Sequence, residues 1–224
     1  MFRSRSYLTG EFFALFVGLP VGWLLLRRVV DAPVPVIPAL WMLSVVCLVV
    51  LLRDPTFDRR RLWRAGRLRR EVPRILAIFA VLGAALAVLV LTTMPERLFG
   101  FARRSPRFWA VVMVLYPILS VYPQGIIYRG FVFHRYRRVV GDGAPLIVLS
   151  AAAFSLAHVV LGNGWAVVLT IPAGLLFAWT YHRTRSLLTS GLEHALYGDW
   201  VFTLGLGVYF YHGAAEAARR VAAG

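Results

Sequence analysis

The stretch ILAIFAVLGAALAVLVLTT, residues 75–93, contains no ionisable side chain. As a helix rising 1.5 Å per residue it would be about 28 Å long, close to the ~30 Å hydrocarbon thickness of a bilayer. Its length and composition therefore predict a transmembrane helix.

Six further stretches share this apolar character on either side of it. They are Phe12–Leu26, Val36–Leu52, Phe108–Tyr122 with its continuation toward Phe133, Pro145–Leu161, Trp165–Tyr181 and Leu187–Tyr211. A series of such runs separated by polar segments is typical of a polytopic membrane protein. We therefore predict an all-α fold, a polytopic transmembrane helical bundle of about seven spans.

The composition of the 224-residue chain agrees with this fold class. Apolar residues make up 59% and charged residues 16%, and the mean hydropathy is +0.70. Soluble domains average about 45–50% apolar and about 25% charged residues. A soluble globule is excluded, and so is a disulfide scaffold, because the single cysteine, Cys47, has no partner and is expected to be a buried thiol.

The charged residues indicate topology rather than nucleic-acid binding. The net charge is +15 and all 25 basic residues are arginine, but they lie between the apolar stretches and form no recognition-helix pattern. With seven spans, 16 arginines fall on one side and 8 on the other, which places the N-terminus and the Arg53–Arg74 loop in the cytoplasm. We expect an integral protein of a bacterial inner membrane whose N-terminal segment is an uncleaved anchor. Anionic lipids are expected to bind the Arg53–Arg74 loop. An interfacial helix is expected within Arg97–Arg107.

The chain divides into three regions. Residues 1–107 contain three spans and the basic cytoplasmic loop, residues 108–212 form the core that carries the candidate site, and residues 213–224 form a short tail. The chain has no internal repeat or linker, so these regions are expected to share one bundle.

Five ionisable residues lie in the last four apolar stretches: Arg129, His158, Glu193, His194 and Asp199. Placing a charged side chain in the middle of the membrane costs at least about 2.5–3.5 kcal/mol of free energy. Each of these residues therefore needs a polar partner, contact with water or a functional role. Two histidines from separate helices can converge on a metal ion or a water molecule. Glu193 points about 100° away from His194 on a regular helix, and it is a candidate base or a partner for Arg129.

Three short motifs follow one another on these helices. The segment YPQGIIYRGFVF, residues 122–133, resembles the E-E-x-x-x-R motif of the CPBP family, which continues Arg-Gly-Phe. Phe154 to His158 resembles its F-x-x-x-H motif, and His194 to Gly198 resembles its H-x-x-x-N motif. The CPBP family contains CAAX prenyl endopeptidases and membrane proteases that process bacteriocins or confer immunity to them.

The resemblance implies an intramembrane peptidase acting on membrane-associated peptides or prenylated proteins. It implies catalytic roles for Gln124, Arg129, His158 and His194, with Glu193 as a further candidate, and a divalent metal such as zinc on His158 and His194. The sequence differs from the family motifs at residues expected to take part in catalysis. Gln124 and Gly125 replace the two motif glutamates, and Gly198 replaces the asparagine. An amide orients water but accepts no proton at neutral pH.

Three functional hypotheses follow from these features. The first is a CPBP-type peptidase with degraded activity, in which Glu193, Asp199 or a histidine acts as base. The second is an inactive pseudoprotease that binds peptides or partner proteins in the membrane. The third, a channel or small transporter, is the weakest, because it leaves the three ordered motifs unexplained.

Two geometric predictions follow. Gln124, His158 and His194 should line one cavity, because polar groups that face lipid are costly. Arg129 should pair with Glu193 or Asp199, because a buried guanidinium needs an acceptor.

Overall fold

A computed structural model describes residues 4–29 and 36–210, which form helices joined by loops and contain no strand. The α-helices are α1 Arg5–Phe13, α2 Leu19–Val29, α3 Val36–Arg53, α4 Leu68–Thr93, α5 Gly100–Arg104, α6 Pro106–Tyr116, α7 Tyr122–Gln124, α8 Val132–Arg135, α9 Arg137–Val140, α10 Ala144–Ala157, α11 Gly164–Thr184 and α12 Leu187–Thr203. The predicted tail 213–224, with Arg219 and Arg220, lies outside the described residues, as do Arg3 and the side chains of Arg27 and Arg28.

Six helical segments of the described chain are long and apolar enough to cross a membrane. They are Arg5–Leu26, Val36–Arg53, Leu68–Thr93, Pro106–Arg135, Ala144–Leu161 and Gly164–Thr184. The seventh predicted stretch forms α12, which has 17 residues and packs within the same bundle. The all-α polytopic fold is thus confirmed.

One end of the bundle gathers the basic loops. Arg135 donates two hydrogen bonds to Glu11, at 2.7 and 2.6 Å, and thereby joins the N-terminal helix to the core. Arg67 in the loop after α3 donates to the carbonyl of Arg183 at 2.7 Å. Asp142 accepts from Arg185, which lowers the pKa of that carboxyl. We call this the basic end.

The other end of the bundle is held by side chains near the C-terminus of α12. Asn163 donates to the carbonyl of Tyr209 at 2.8 Å and also caps α11 by accepting from the backbone of Ala166. Trp109 donates its indole N–H to Thr203 at 3.0 Å. The predicted interfacial region contains the short helix α5 here, so we call this the α5 end.

Small residues let the helices that carry the site pack closely. Gly174 of α11 lies against Phe154 and Ala151 of α10, where even a methyl group would come within 3.0 Å of the Phe154 ring. Gly83 of α4 leaves room for the Trp200 indole, which donates to the Gly83 carbonyl at 2.9 Å. Close approach of small residues is a typical means of helix association in membranes.

The helical segment Pro106–Arg135 is not a regular α-helix. It consists of α6, α7 and α8 joined by π-helical segments at Pro117–Val121 and Gly125–Phe131. Pro117 and Pro123 lack the amide hydrogens that a regular ladder would use, and π-helical turns often accompany functional sites. The second of these segments contains Gly125 and Arg129, so the distortion lies within the first motif.

Candidate active site

The predicted polar residues meet at one large cavity within the bundle. It has a volume of about 1260 Å³, and its walls are mostly aliphatic and aromatic. Gln124, His158 and His194 all line it, as the sequence predicted. Its rim includes the exposed side chains of Ile37 and Phe108, where the bundle would face lipid.

The cavity opens at the α5 end rather than the basic end. Phe101 and Arg104 of α5 contribute to its wall, together with Phe210 beyond α12. Toward the basic end, the buried residues Phe133 and Tyr136 belong to a closely packed core. A ligand would therefore enter from the α5 end or sideways from the membrane.

His158 is placed by the end of α10. The rings of Phe154 and His158 lie 4.7 Å apart, which confirms that the two residues share a helix face. Nδ1 of His158 lies 2.7 Å from the Phe154 carbonyl oxygen, which only accepts, so Nδ1 carries a hydrogen and donates it. The neutral ring then has its lone pair on Nε2, and this nitrogen has no hydrogen-bond partner among the described residues.

His194 is held between two polar side chains. Arg129 donates from Nη2 to its Nδ1 at 3.2 Å, and the Tyr116 hydroxyl lies 3.3 Å from its Nε2. The ring also stacks on Phe177, with the centroids 4.5 Å apart. Since a guanidinium only donates, Nδ1 must be an acceptor, and the hydrogen of the neutral ring lies on Nε2.

The prediction that Arg129 pairs with Glu193 or Asp199 is wrong. Its guanidinium is buried and bonds to His194, and within the described chain it has no carboxylate within 4.0 Å. Glu193 and His194 are adjacent on α12 and point about 100° apart, so only one of them can face Arg129. The packing of α12 turns the histidine toward it.

Glu193 and Asp199 lie outside the cavity wall formed by the described residues. Glu193 is fully buried, and its closest cation is Arg74 on α4, at 3.9 Å. Neither of its carboxylate oxygens has a hydrogen-bond partner in the described chain, and the same holds for Oδ1 of Asp199. Neither carboxylate is thus in place to take a proton from a water molecule in the cavity.

The first motif has an amide and a glycine where the motif that it resembles has two glutamates. Gln124 donates to Ser120 at 2.7 Å, while its buried Oε1 has no donor in the described chain. A Cβ on Gly125 would lie 3.2 Å from Nη2 of Arg129. The guanidinium thus occupies the space into which a side chain at residue 125 would project.

The motifs did not point to Tyr116, which proves to be part of the site. A Cβ on Gly198 would overlap the Tyr116 ring, whose hydroxyl contacts His194. The ring therefore fills the place where residue 198 would carry its side chain. In the sequence, the glycine at residue 198 was the one indication of such a residue. A glycine in place of the motif asparagine leaves space that a side chain from another helix can fill.

The donor set does not fit a zinc ion. Structural and catalytic zinc sites use at least three protein ligands, and the described residues contain no group of three or more His, Cys, Asp and Glu side chains placed to hold a metal. Both nitrogens of His194 are engaged, one of them by a cation. The metal stays a prediction from the resemblance.

Comparison with known proteins agrees with the motifs. Residues 104–198 match the family model described as type II CAAX prenyl endopeptidase Rce1-like. No curated protein and no solved structure matches the chain. The matched segment begins at the cavity rim and ends at Gly198, so it contains all three motifs and every polar residue of the cavity named above. In the region that carries its candidate active site, the chain is thus similar to type II CAAX prenyl endopeptidases of the Rce1-like family.

Proposed function

We propose that this protein is an intramembrane endopeptidase of the CAAX prenyl endopeptidase type with strongly reduced turnover. The observation that carries the proposal is that Gln124, His158 and His194 line the same apolar cavity. The similarity to the endopeptidase family supports the reaction class, and the two missing motif glutamates account for the reduced rate.

His158 is the proposed general base, because it lines the cavity and its Nε2 has a lone pair without a hydrogen-bond partner in the described chain. Nε2 takes a proton from water, the water oxygen bonds to the peptide carbonyl carbon, and the carbonyl π electrons move to its oxygen. When the tetrahedral intermediate collapses, the C–N bond breaks and the amine nitrogen receives the proton from His158. Gln124, which also lines the cavity, orients the water through its side-chain amide.

The cavity indicates the class of substrate. Ligand pockets usually measure about 300–1,000 Å³, and this one is larger, apolar and open toward lipid. A peptide carrying a lipid chain, or an anchored segment of a membrane protein, suits such walls. The partners we propose are therefore membrane lipids and a membrane-associated or prenylated peptide.

One observation favours a second candidate, a pseudoprotease that binds substrates without cleaving them. In the described part of the chain no carboxylate lines the cavity. A site without a carboxylate base can still bind peptides in the same apolar space.

Single-turnover cleavage distinguishes the two functions. Purified wild type in detergent or nanodiscs is mixed in excess with a fluorescent prenylated peptide, and binding and cleavage are followed separately. We expect slow cleavage that falls by about 10²–10⁴-fold in His158→Ala, the range typical of a lost general base. His182→Ala is the control, because that histidine contacts Asp142 at the basic end, away from the cavity. Binding without detectable cleavage by wild type would support the pseudoprotease instead.

The structure also leads to a prediction about sidedness. The cavity opens at the α5 end, whereas the Arg53–Arg74 loop lies at the basic end, which we propose to be cytoplasmic. In a Cys47→Ala background, a membrane-impermeant maleimide added to intact cells should label Ser105→Cys and not Gly66→Cys. Cys47 is 1% exposed, and Gly66 has open space around its Cα. The reverse labelling pattern would show that the cavity opens to the cytoplasm.

A further inference from the structure

The polar groups around His194 form a directed chain of hydrogen bonds. Arg129 donates to Nδ1 of His194, at 3.2 Å, and cannot act as an acceptor. The hydrogen of the neutral imidazole is therefore on Nε2, which faces the Tyr116 hydroxyl oxygen at 3.3 Å. Tyr116 accepts this hydrogen bond, so its own O–H hydrogen is directed elsewhere.

The contacts of Tyr116 show that its O–H hydrogen is available for a ligand in the cavity. Tyr116 lines the cavity, and in the described chain its hydroxyl has no hydrogen-bond partner besides His194. Its ring is fixed against Phe202, with the centroids 5.2 Å apart, and against the bare backbone of Gly198. The hydroxyl is thus a pre-oriented donor whose hydrogen has no acceptor among the described residues.

We propose that Tyr116 is a catalytic residue of this site, whose hydroxyl donates a hydrogen bond to the carbonyl oxygen of the substrate peptide. This inference rests on the proposed peptidase function. As water adds to the carbonyl carbon and charge develops on its oxygen, the Tyr116 hydrogen stabilises that oxygen while the proton stays on Tyr116. Arg129 and His194 act as positioning residues, because they set the direction of the hydroxyl.

The position of the Tyr116 ring depends on the absence of a side chain at Gly198. Any side chain at residue 198 would overlap the ring and displace the hydroxyl from His194. Residue 198 on α12 carries no side chain, and Tyr116 on α6 places a polar group in that space. The two positions are therefore expected to be coupled.

A spectroscopic experiment tests the donor directly. A prenylated peptide with a ¹³C-labelled ketone in place of the scissile amide is bound to the protein, and the carbonyl stretch is recorded by infrared difference spectroscopy. In wild type we expect the stretch at lower frequency than in Tyr116→Phe, because a hydrogen bond weakens the C=O bond. Phenylalanine keeps the ring that packs against Gly198 and removes only the hydroxyl.

The control and the kinetic readout complete the test. Tyr209→Phe loses a hydroxyl that contacts Met94 at the α5 end, and it should leave the stretch unchanged. In single-turnover cleavage, Tyr116→Phe should lower the rate by about 10²-fold, the lower part of the range for a lost oxyanion donor, with unchanged peptide affinity.

The outcomes separate this inference from the proposed function. A ketone that binds with the same stretch in wild type and Tyr116→Phe would overturn the role of Tyr116 and leave the peptidase proposal standing. A ketone that does not bind at all would overturn both. Gly198→Ala should abolish the shift although the hydroxyl remains, and a retained shift in this variant would contradict the geometry of the donor.

Discussion

Restoring both carboxylates of the first motif, in Gln124→Glu/Gly125→Glu, is expected to raise the single-turnover cleavage rate by about 10²–10⁴-fold. Gln124 lines the cavity, and its buried Oε1 has no hydrogen-bond partner in the described chain. Glutamate has nearly the same shape as glutamine, so it would place a proton acceptor at this position without repacking the helix. The measurement is cleavage of the fluorescent prenylated peptide with enzyme in excess.

The second substitution acts on Arg129. A Cβ at residue 125 comes 3.2 Å from Nη2 of Arg129 and 3.6 Å from Leu187, so the guanidinium must shift by a few tenths of an ångström. A carboxylate there gains an ion pair with a buried cation that has no carboxylate partner in the described chain. Charge neutralisation of this kind compensates for the crowding.

The matched control for the revertant is Gly125→Gln in the wild-type Gln124 background. It adds a side chain of the same size as glutamate without a charge or a proton acceptor, and we expect no gain in rate. If wild type cleaves as fast as the double-glutamate variant, the carboxylates are not needed and His158 alone suffices as base. If Gly125→Gln is as fast as the revertant, the gain comes from packing and not from acid–base chemistry.

Arg74→Met is expected to destabilise the protein by about 3 kcal/mol, the cost typical of leaving one member of a buried ion pair alone. Arg74 of α4 lies 3.9 Å from the fully buried carboxylate of Glu193 on α12, and it donates to Thr180 on α11 at 2.8 Å. Removing its charge leaves Glu193 without a cation within 4.0 Å in the described chain. Unfolding by denaturant in mixed micelles, followed by tryptophan fluorescence, measures the change.

Two variants make this prediction specific. Arg183→Met removes a cation that is about half exposed and lies 3.5 Å from Glu71, so it should cost at most about 1 kcal/mol. Arg74→Met/Glu193→Leu removes both members of the buried pair and should recover most of the lost stability. A double variant as unstable as Arg74→Met would show that the cost comes from the other contacts of Arg74 and not from the isolated charge of Glu193. These contacts are its 2.7 Å bond to Glu71 and its packing on Trp179, 4.6 Å from the ring centroid.

The class of fold could be predicted because it depends on local composition. A run such as residues 75–93 cannot remain in water and must satisfy its own backbone hydrogen bonds in lipid, which only a helix does within a single segment. The same local geometry determined that Phe154 and His158 share a face, and the structure places their rings 4.7 Å apart. The polar residues in apolar helices also identified the cavity, because Gln124, His158 and His194 could be tolerated only around a common interior space.

The partners of those residues depended on the rotation of each helix about its axis, which the motifs do not contain. Arg129 bonds to His194 rather than to Glu193 because α12 presents the histidine to Gly125–Phe131 and presents the glutamate to Arg74 on α4. Tyr116 and His194 are 78 positions apart in the chain, and their contact exists because the Tyr116 ring fits the space left by Gly198. The sequence by itself determined a membrane bundle and the residues that needed an interior site. Only the tertiary structure decided which side chain fills each gap, because close packing between helices selects one neighbour from several that the sequence would allow.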